Sequence, residues 1–193
     1  MGNPGFCPSS TEIVKRLPAK ITVMTNEKKC KIVVFGAFGA GKSTLIKTLD
    51  PESKHVEADC PGGTTTIALD FGRVLINGCH VHIFGTPGQE RFEFAREIVG
   101  TGMDGAILLF DATSQPDDFT HHLYTSLTAA NIPFVVFLNR CESVGARPEE
   151  LKDQFGSSAV WMVSALDREQ SLAALERFVI TLPPHMDHHS HSL

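Results

Sequence analysis

The chain has 193 residues, 42% of them hydrophobic and 20% charged, which suffices for one sizeable core and is too little for two ordinary domains. Ordinary Gly (16) and Pro (11) contents with 8% aromatics exclude collagen-like and disordered classes, and five cysteines without a CxxC pair (Cys7, Cys30, Cys60, Cys79, Cys141) exclude a disulfide framework and a four-thiolate zinc site. The net charge is -5, but residues 1–31 hold six Lys/Arg against two Glu, so an acidic body remains that is unsuited to nucleic acid.

The longest apolar stretch, Ile132–Leu138, falls far short of the ~18 residues of a membrane span, and the N-terminus shows no apolar signal-peptide core. A cytoplasmic protein without a transmembrane segment is expected. Met1-Gly2 lacks the Ser or Thr that N-myristoylation wants at Phe6, while Cys7 beside a basic tail leaves peripheral membrane contact open.

Residues 1–19 read as a flexible basic tail, in which Ser9-x-x-Glu12 followed by Ile13, Val14 and Leu17 supports at most two helical turns. The domain proper is expected over 20–182, with Ile21–Met24 as an edge strand. Further strands are predicted at Lys31–Gly36, Ile67–Ile76, Cys79–Phe84, Ala106–Asp111, Phe134–Asn139 and Ala159–Ser164, with helices after all but the second of these six.

Asn77-Gly78 predicts a two-residue hairpin, making the second and third of those strands antiparallel. The last helix carries an apolar stripe at Leu172, Leu175, Val179 and Leu182 and stops at Pro183-Pro184, beyond which 183–193 reads as a disordered His-rich tail. The alternation predicts a doubly wound α/β fold: a six-stranded, mostly parallel sheet with one antiparallel strand and helices on both faces. His80 and His82, alternating on one strand with no third ligand, read as sheet histidines rather than a metal site.

After the first strand, Gly36-Ala-Phe-Gly-Ala-Gly-Lys-Ser43 fits GxxxxGK[ST] and leads into helical spacing at Leu45 and Leu49, the strand, loop and helix context of a P-loop. Gly36, Phe38, Gly39, Ala40, Gly41 and Thr44 are therefore candidates for cradling phosphate with backbone N–H groups at a helix N-terminus. Lys42 is placed to reach the β- and γ-phosphates, and Ser43 to ligate Mg²⁺.

Three later segments, Thr64–Phe71, Gly85–Phe92 and Gly105–Asp111, follow in an order that resembles the Ras-like small GTPases, over roughly Lys31 to Leu182. Within them the chain looks closest to the bacterial and archaeal branch related to the polarity GTPase MglA and to the β subunit of the signal-recognition-particle receptor. The resemblance implies a P-loop NTPase fold that binds GTP and GDP with Mg²⁺. It assigns Thr66 to the switch I threonine that completes the metal shell and contacts the γ-phosphate, with Thr64 and Thr65 as alternatives in register. Gly88 becomes the glycine whose amide senses the γ-phosphate, and Gln89 the residue that orients the attacking water.

Asn139-Arg-Cys-Glu142 stands where the family has NKxD, and Ser164, Ala165 and Leu166 follow the sixth strand where it has its SA motif. The carboxylate of Glu142 suits the N1–H and 2-amino donors of guanine, Asn139 suits N7 and the loop, Arg140 can lie along the base, and the Ala165 amide suits O6.

Several positions depart from the family. Gly85 stands where it has the Asp that holds Mg²⁺ through water, leaving Asp111 or Asp70 to substitute. Phe38 obstructs the route of an arginine inserted by an activating protein, and Arg73 and Arg91 are the arginines read as near the switches. The expected function is a slow GTP-hydrolysing switch with effector and regulator proteins, for which the resemblance implies a Roadblock- or longin-type partner. The competing reading is a degenerate GTPase that holds nucleotide constitutively as a scaffold.

Overall fold

The computed structural model describes residues 28–59, 66–89, 93–156 and 159–183. The tail helix pattern, the expected edge strand Ile21–Met24 and the His-rich end lie outside these residues.

Among the described residues seven strands form one sheet: β1 (Lys28–Phe35), β2 (Lys54–Asp59), β3 (Thr66–Ile76), β4 (Cys79–Gly85), β5 (Gly105–Asp111), β6 (Phe134–Asn139) and β7 (Val160–Met162). Their spatial order is β2-β3-β4-β1-β5-β6-β7, and β3 alone runs antiparallel to its neighbours. Among the described residues there are five helices, four between strands and the last after β7: α1 (Lys42–Leu49), α2 (Glu93–Gly100), α3 (Asp118–Ala129), α4 (Pro148–Phe155) and α5 (Arg168–Thr181).

The α/β class and the single antiparallel strand agree with the sequence pattern, but the sheet has one strand more than expected. The addition, β2, is an edge strand of sequence Lys-His-Val-Glu-Ala-Asp. Charged residues are depleted in strands generally and tolerated at edges, where they discourage further pairing, so composition hides this element.

The central strands are apolar on both faces because helices cover both. Ile32 and Val34 of β1 join Leu45, Ile46 and Leu49 of α1 and Leu175 and Phe178 of α5 in one core layer. Val33 and Phe35 join Val99 of α2, Leu123 and Leu127 of α3 and Leu151 and Phe155 of α4 in the other. The hairpin forms as predicted: Asn77 (φ 49°) and Gly78 (φ 77°) both take positive φ, which pins Ile76 opposite Cys79. Asp117 and Asp167 cap α3 and α5 by accepting from Thr120 N at 2.8 Å and Gln170 N at 3.0 Å.

This topology fixes where chemistry can happen. β1 lies between β4 and β5, so the connections diverge on either side of it and leave a crevice at the carboxyl ends of the strands. The phosphate-loop motif, Asp111, Asn139 and Ser164-Ala165 all follow strands at that edge.

Cys30, Cys79 and Cys141 are free thiols. Burial, with a smaller contribution from Asp104, pushes the Cys30 thiol up to about 12, so it carries almost no thiolate near neutral pH. Iodoacetamide at neutral pH is expected to leave Cys30 unmodified in the folded protein and to label it in denaturant, as read by peptide mass spectrometry.

Candidate nucleotide-binding site

Between β1 and α1 the chain reverses through a loop in which Gly36, Gly39 and Gly41 take positive φ, so a string of backbone amides curls toward the helix N-terminus. Its end is fixed by Leu45 N donating to Gly41 O at 2.8 Å. Lys42 is 8% exposed, and its ammonium folds back to donate to Gly36 O at 2.8 Å and Ala37 O at 2.7 Å. Burial pulls its pKa down to about 8; Asp70 opposes that shift and Arg96 adds to it. A buried cation beside the positive end of α1 favours an anion at the loop. A cavity of about 360 Å³ opens alongside, lined by Ala37, Phe38, Gly39, Ala40, Asp111 and Arg140 among others. Phe38 stands out from the loop, 80% exposed, and Thr44 is half-buried in the first turn of α1.

On the far side of α1's first turn, Ser43 Oγ donates to Asp70 Oδ2 at 2.5 Å. Asp70 sits in β3 directly opposite Gly85 of β4. A Cβ built on Gly85 would meet Ile46 Cδ1 at 2.9 Å and the Asp70 carboxylate at 3.4 Å, so Asp70 fills the space a side chain at position 85 would otherwise compete for. Of the two expected substitutes for the missing carboxylate, Asp70 is the one beside the metal-ligand candidate. Asp111 is otherwise engaged: burial acts against its charge, but the Thr113 amide and hydroxyl and the Arg140 guanidinium hold it below the usual carboxylate range.

The base-side residues gather around Asn139, which is 4% exposed. Its Nδ2 donates to Ala40 O at 3.0 Å and its Oδ1 accepts from Ala165 N at 2.9 Å, so one amide ties the phosphate loop to the segment after β7. The Ala165 N–H, read from the sequence as facing a base oxygen, is given to Asn139 here. Arg140 takes positive φ and pairs with Asp111 rather than lying free beside a base. Ser164 O accepts from Ser171 Oγ at 2.9 Å, while Glu142 and Leu166 are exposed.

Among the switch residues, Thr66 opens β3 opposite Asp59, whereas Thr64, Thr65 and Arg91 lie outside the described residues. Gly88 crosses directly over the loop: a Cβ there would lie 2.5 Å from Phe38 N and 2.7 Å from Lys42 Nζ, closer than a side chain can approach. Gln89 is exposed, and its carbonyl accepts from Arg96 Nη1 at 2.8 Å.

Arg96 is a residue the sequence reading missed. It is 6% exposed, its guanidinium lies 4.8 Å from the Phe119 ring centre, and its charge reaches Lys42. The available signal was its spacing from Val99, three residues on and also buried, which puts both on the inner face of α2. Arg73 lies on exposed β3 opposite His82, away from the loop.

The fold and this loop define a P-loop GTPase domain. A family model for the elongation factor Tu GTP-binding domain matches residues 52–180, and the chain belongs to that family. It is 36% identical over 112 residues to an uncharacterised protein of Methanocaldococcus jannaschii, covering 58% of this chain and 70% of that one. It is 23% identical over 167 residues to translation initiation factor IF-2 of Mesoplasma florum, covering 81% of this chain but only 26% of that factor. The crystal structure of the G domain of the T. maritima FeoB iron transporter superposes with a TM-score of 0.60 at 18% identity, covering 79% of this chain and 97% of that one, and so shares the fold.

Replacing Asn139 with Ala strands the Ala165 N–H and the Ala40 carbonyl in a buried site. Asn139→Ala is expected to lower the unfolding free energy of the nucleotide-free protein by about 2 kcal/mol, measured by urea denaturation.

Proposed function

We propose that the chain is a GTP-binding molecular switch that hydrolyses GTP slowly. The observation that carries this reading is the Asn139 bridge, because it joins a phosphate loop to a base-side loop in one rigid unit. In this reading the loop amides and Lys42 hold the phosphates, and Asn139, Glu142 and the Ser164–Leu166 segment frame the guanine. A carboxylate at 142 favours guanine because adenine leaves it without donors.

The residues present fit Mg²⁺. The Ser43 hydroxyl and the Asp70 carboxylate are hard oxygen donors of the kind that Mg²⁺ takes, and they lie hydrogen-bonded to each other at the loop's edge. Bound there with the nucleotide and Thr66, the ion supplies charge neutralisation to the β- and γ-phosphates. Ser43 is read as the direct ligand, and Asp70 as the carboxylate acting through water in the role that Gly85 vacates. Gln89 orients water, Gly88 and Thr66 report the γ-phosphate, and Arg96 anchors the Gln89 backbone. Hydrolysis is then expected at an unassisted rate of about 10⁻⁴ to 10⁻³ s⁻¹.

We place the chain in the MglA and signal-recognition-particle receptor β branch, in the cytoplasm, with a Roadblock- or longin-type regulator, on the strength of its Thr64–Phe71 and Gly85–Phe92 segments. The constitutive scaffold is a second reading, favoured by Phe38, whose exposed ring blocks entry of an activating arginine.

Competition binding is expected to show GTP preferred over ATP by at least about tenfold, because adenine leaves the Glu142 carboxylate without matching donors, and Glu142→Ala is expected to erase most of that preference. Equal competition by the two nucleotides contradicts the base assignment. Hydrogen exchange of the GTP and GDP forms is expected to differ over 52–66 and 85–100; identical exchange in both segments selects the scaffold.

A further inference from the structure

Three residues lie in one line across the outer sheet. His55 of β2 is directly opposite Asp70 of β3, and Asp70 is directly opposite Gly85 of β4. Register alone therefore stacks an imidazole, a carboxylate and an empty position side by side, the last of which leaves room for the second. His55 Nδ1 lies 2.7 Å from Asp70 Oδ1, while Ser43 Oγ holds the other oxygen at 2.5 Å. Each carboxylate oxygen thus has its own partner, and the two partners come from opposite sides: the phosphate-loop helix and the strand that leads toward Thr66.

We propose that His55 is a positioning residue that acts through Asp70, fixing the carboxylate so that Oδ2 stays at Ser43 and thereby setting how much Mg²⁺ the site needs to retain nucleotide. The proposal rests on the reading of Asp70 as the magnesium-side carboxylate. A carboxylate delivered from β3 differs physically from one carried at position 85. The latter would project from the strand end bordering the loop, whereas Asp70 must reach the Ser43 hydroxyl from the neighbouring strand.

The terminal torsion of an Asp is broad and roughly two-fold, so nothing intrinsic keeps one oxygen on Ser43. The His55 hydrogen bond removes that freedom, as partners of metal-site carboxylates do generally. Asp70 is mostly shielded, with 18% of its side chain exposed, while His55 is half open at 54%. The pair is therefore worth little to folding as a surface ion pair, and its effect falls on the orientation of the carboxylate.

β2 gives the arrangement a further consequence. The strand ends at Asp59, shortly before the segment containing Thr66, and among the described residues it pairs with β3 alone. Pairing of β2 with β3 is what brings His55 to Asp70, so loss of that pairing would loosen the carboxylate and the metal requirement together.

The test is release of the fluorescent probe mant-GDP from the full chain as free Mg²⁺ is varied, with a chelator series as the metal-free limit. His55→Ala is expected to raise the Mg²⁺ concentration for half-maximal retention by about tenfold, while release in chelator stays as in the parent. His55→Asn, which keeps an N–H donor near the carboxylate, is expected to recover most of the shift. In an Asp70→Asn background His55→Ala should add nothing further.

Faster release from His55→Ala in chelator to the same degree as in Mg²⁺ means that His55 only supports the fold, and overturns the proposal. An Mg²⁺ dependence that moves in Asp70→Asn but not in His55→Ala overturns it while leaving the magnesium reading intact. A dependence unmoved by Asp70→Asn overturns the magnesium reading itself. Should His55→Ala fail to fold, the donor-free strand former His55→Val replaces it: a raised Mg²⁺ requirement with unchanged melting supports the proposal, and a parent-like requirement overturns it.

Discussion

A buried ammonium is the constraint around which the site is arranged. Lys42 is 8% exposed, its charge is met by the carbonyls of Gly36 and Ala37, and burial lowers its pKa to about 8. A cation in that position is tolerable when the surroundings compensate for lost hydration, and here compensation comes from loop carbonyls and from the Asp70 carboxylate. The loop cannot relax away, because Asn139 bonds Ala40 from the next layer of the structure, and Gly88 packs over it too closely for any side chain. The helix N-terminus therefore carries a positive potential that the surrounding contacts hold in place.

On the proposed magnesium reading, sheet register relocates a functional group. The carboxylate that the family carries at the end of one strand is absent at Gly85, and the residue opposite it on the antiparallel neighbour is Asp70. Antiparallel pairing sets facing residues close together with their side chains on the same face, so an exchange between opposed positions keeps the group within reach of Ser43. That approach is longer and freer, and the proposed role of the His55 contact is to restrict it.

Much of the fold was legible in the sequence because strands buried on both faces read as apolar runs, as in Ala106–Phe110 and Val135–Leu138, and because Asn77-Gly78 admits few alternatives to a tight hairpin. β2 was not legible, since Lys54, His55, Glu57 and Asp59 give an edge strand the look of a loop. That omission concealed His55 as well: its partner is set by register, and register has no meaning for a strand not yet recognised. Arg96 escaped for a different reason. A lone arginine in an amphipathic helix ordinarily faces water, and only the stacking on Phe119 and the bond to the Gln89 carbonyl show that this one points inward. The Ala165 amide was read from spacing as a base contact, but its partner in the structure, Asn139 Oδ1, is set by how β6 and β7 lie side by side.

On the proposed reading this loop, together with Asn139 and Glu142, holds a guanine nucleotide. The most direct measurement is chromatographic identification of the nucleotide released when the purified chain is denatured. GDP or GTP in stoichiometric amount is expected; adenine nucleotide in its place, or an emptied chain that does not rebind GTP, would contradict guanine binding.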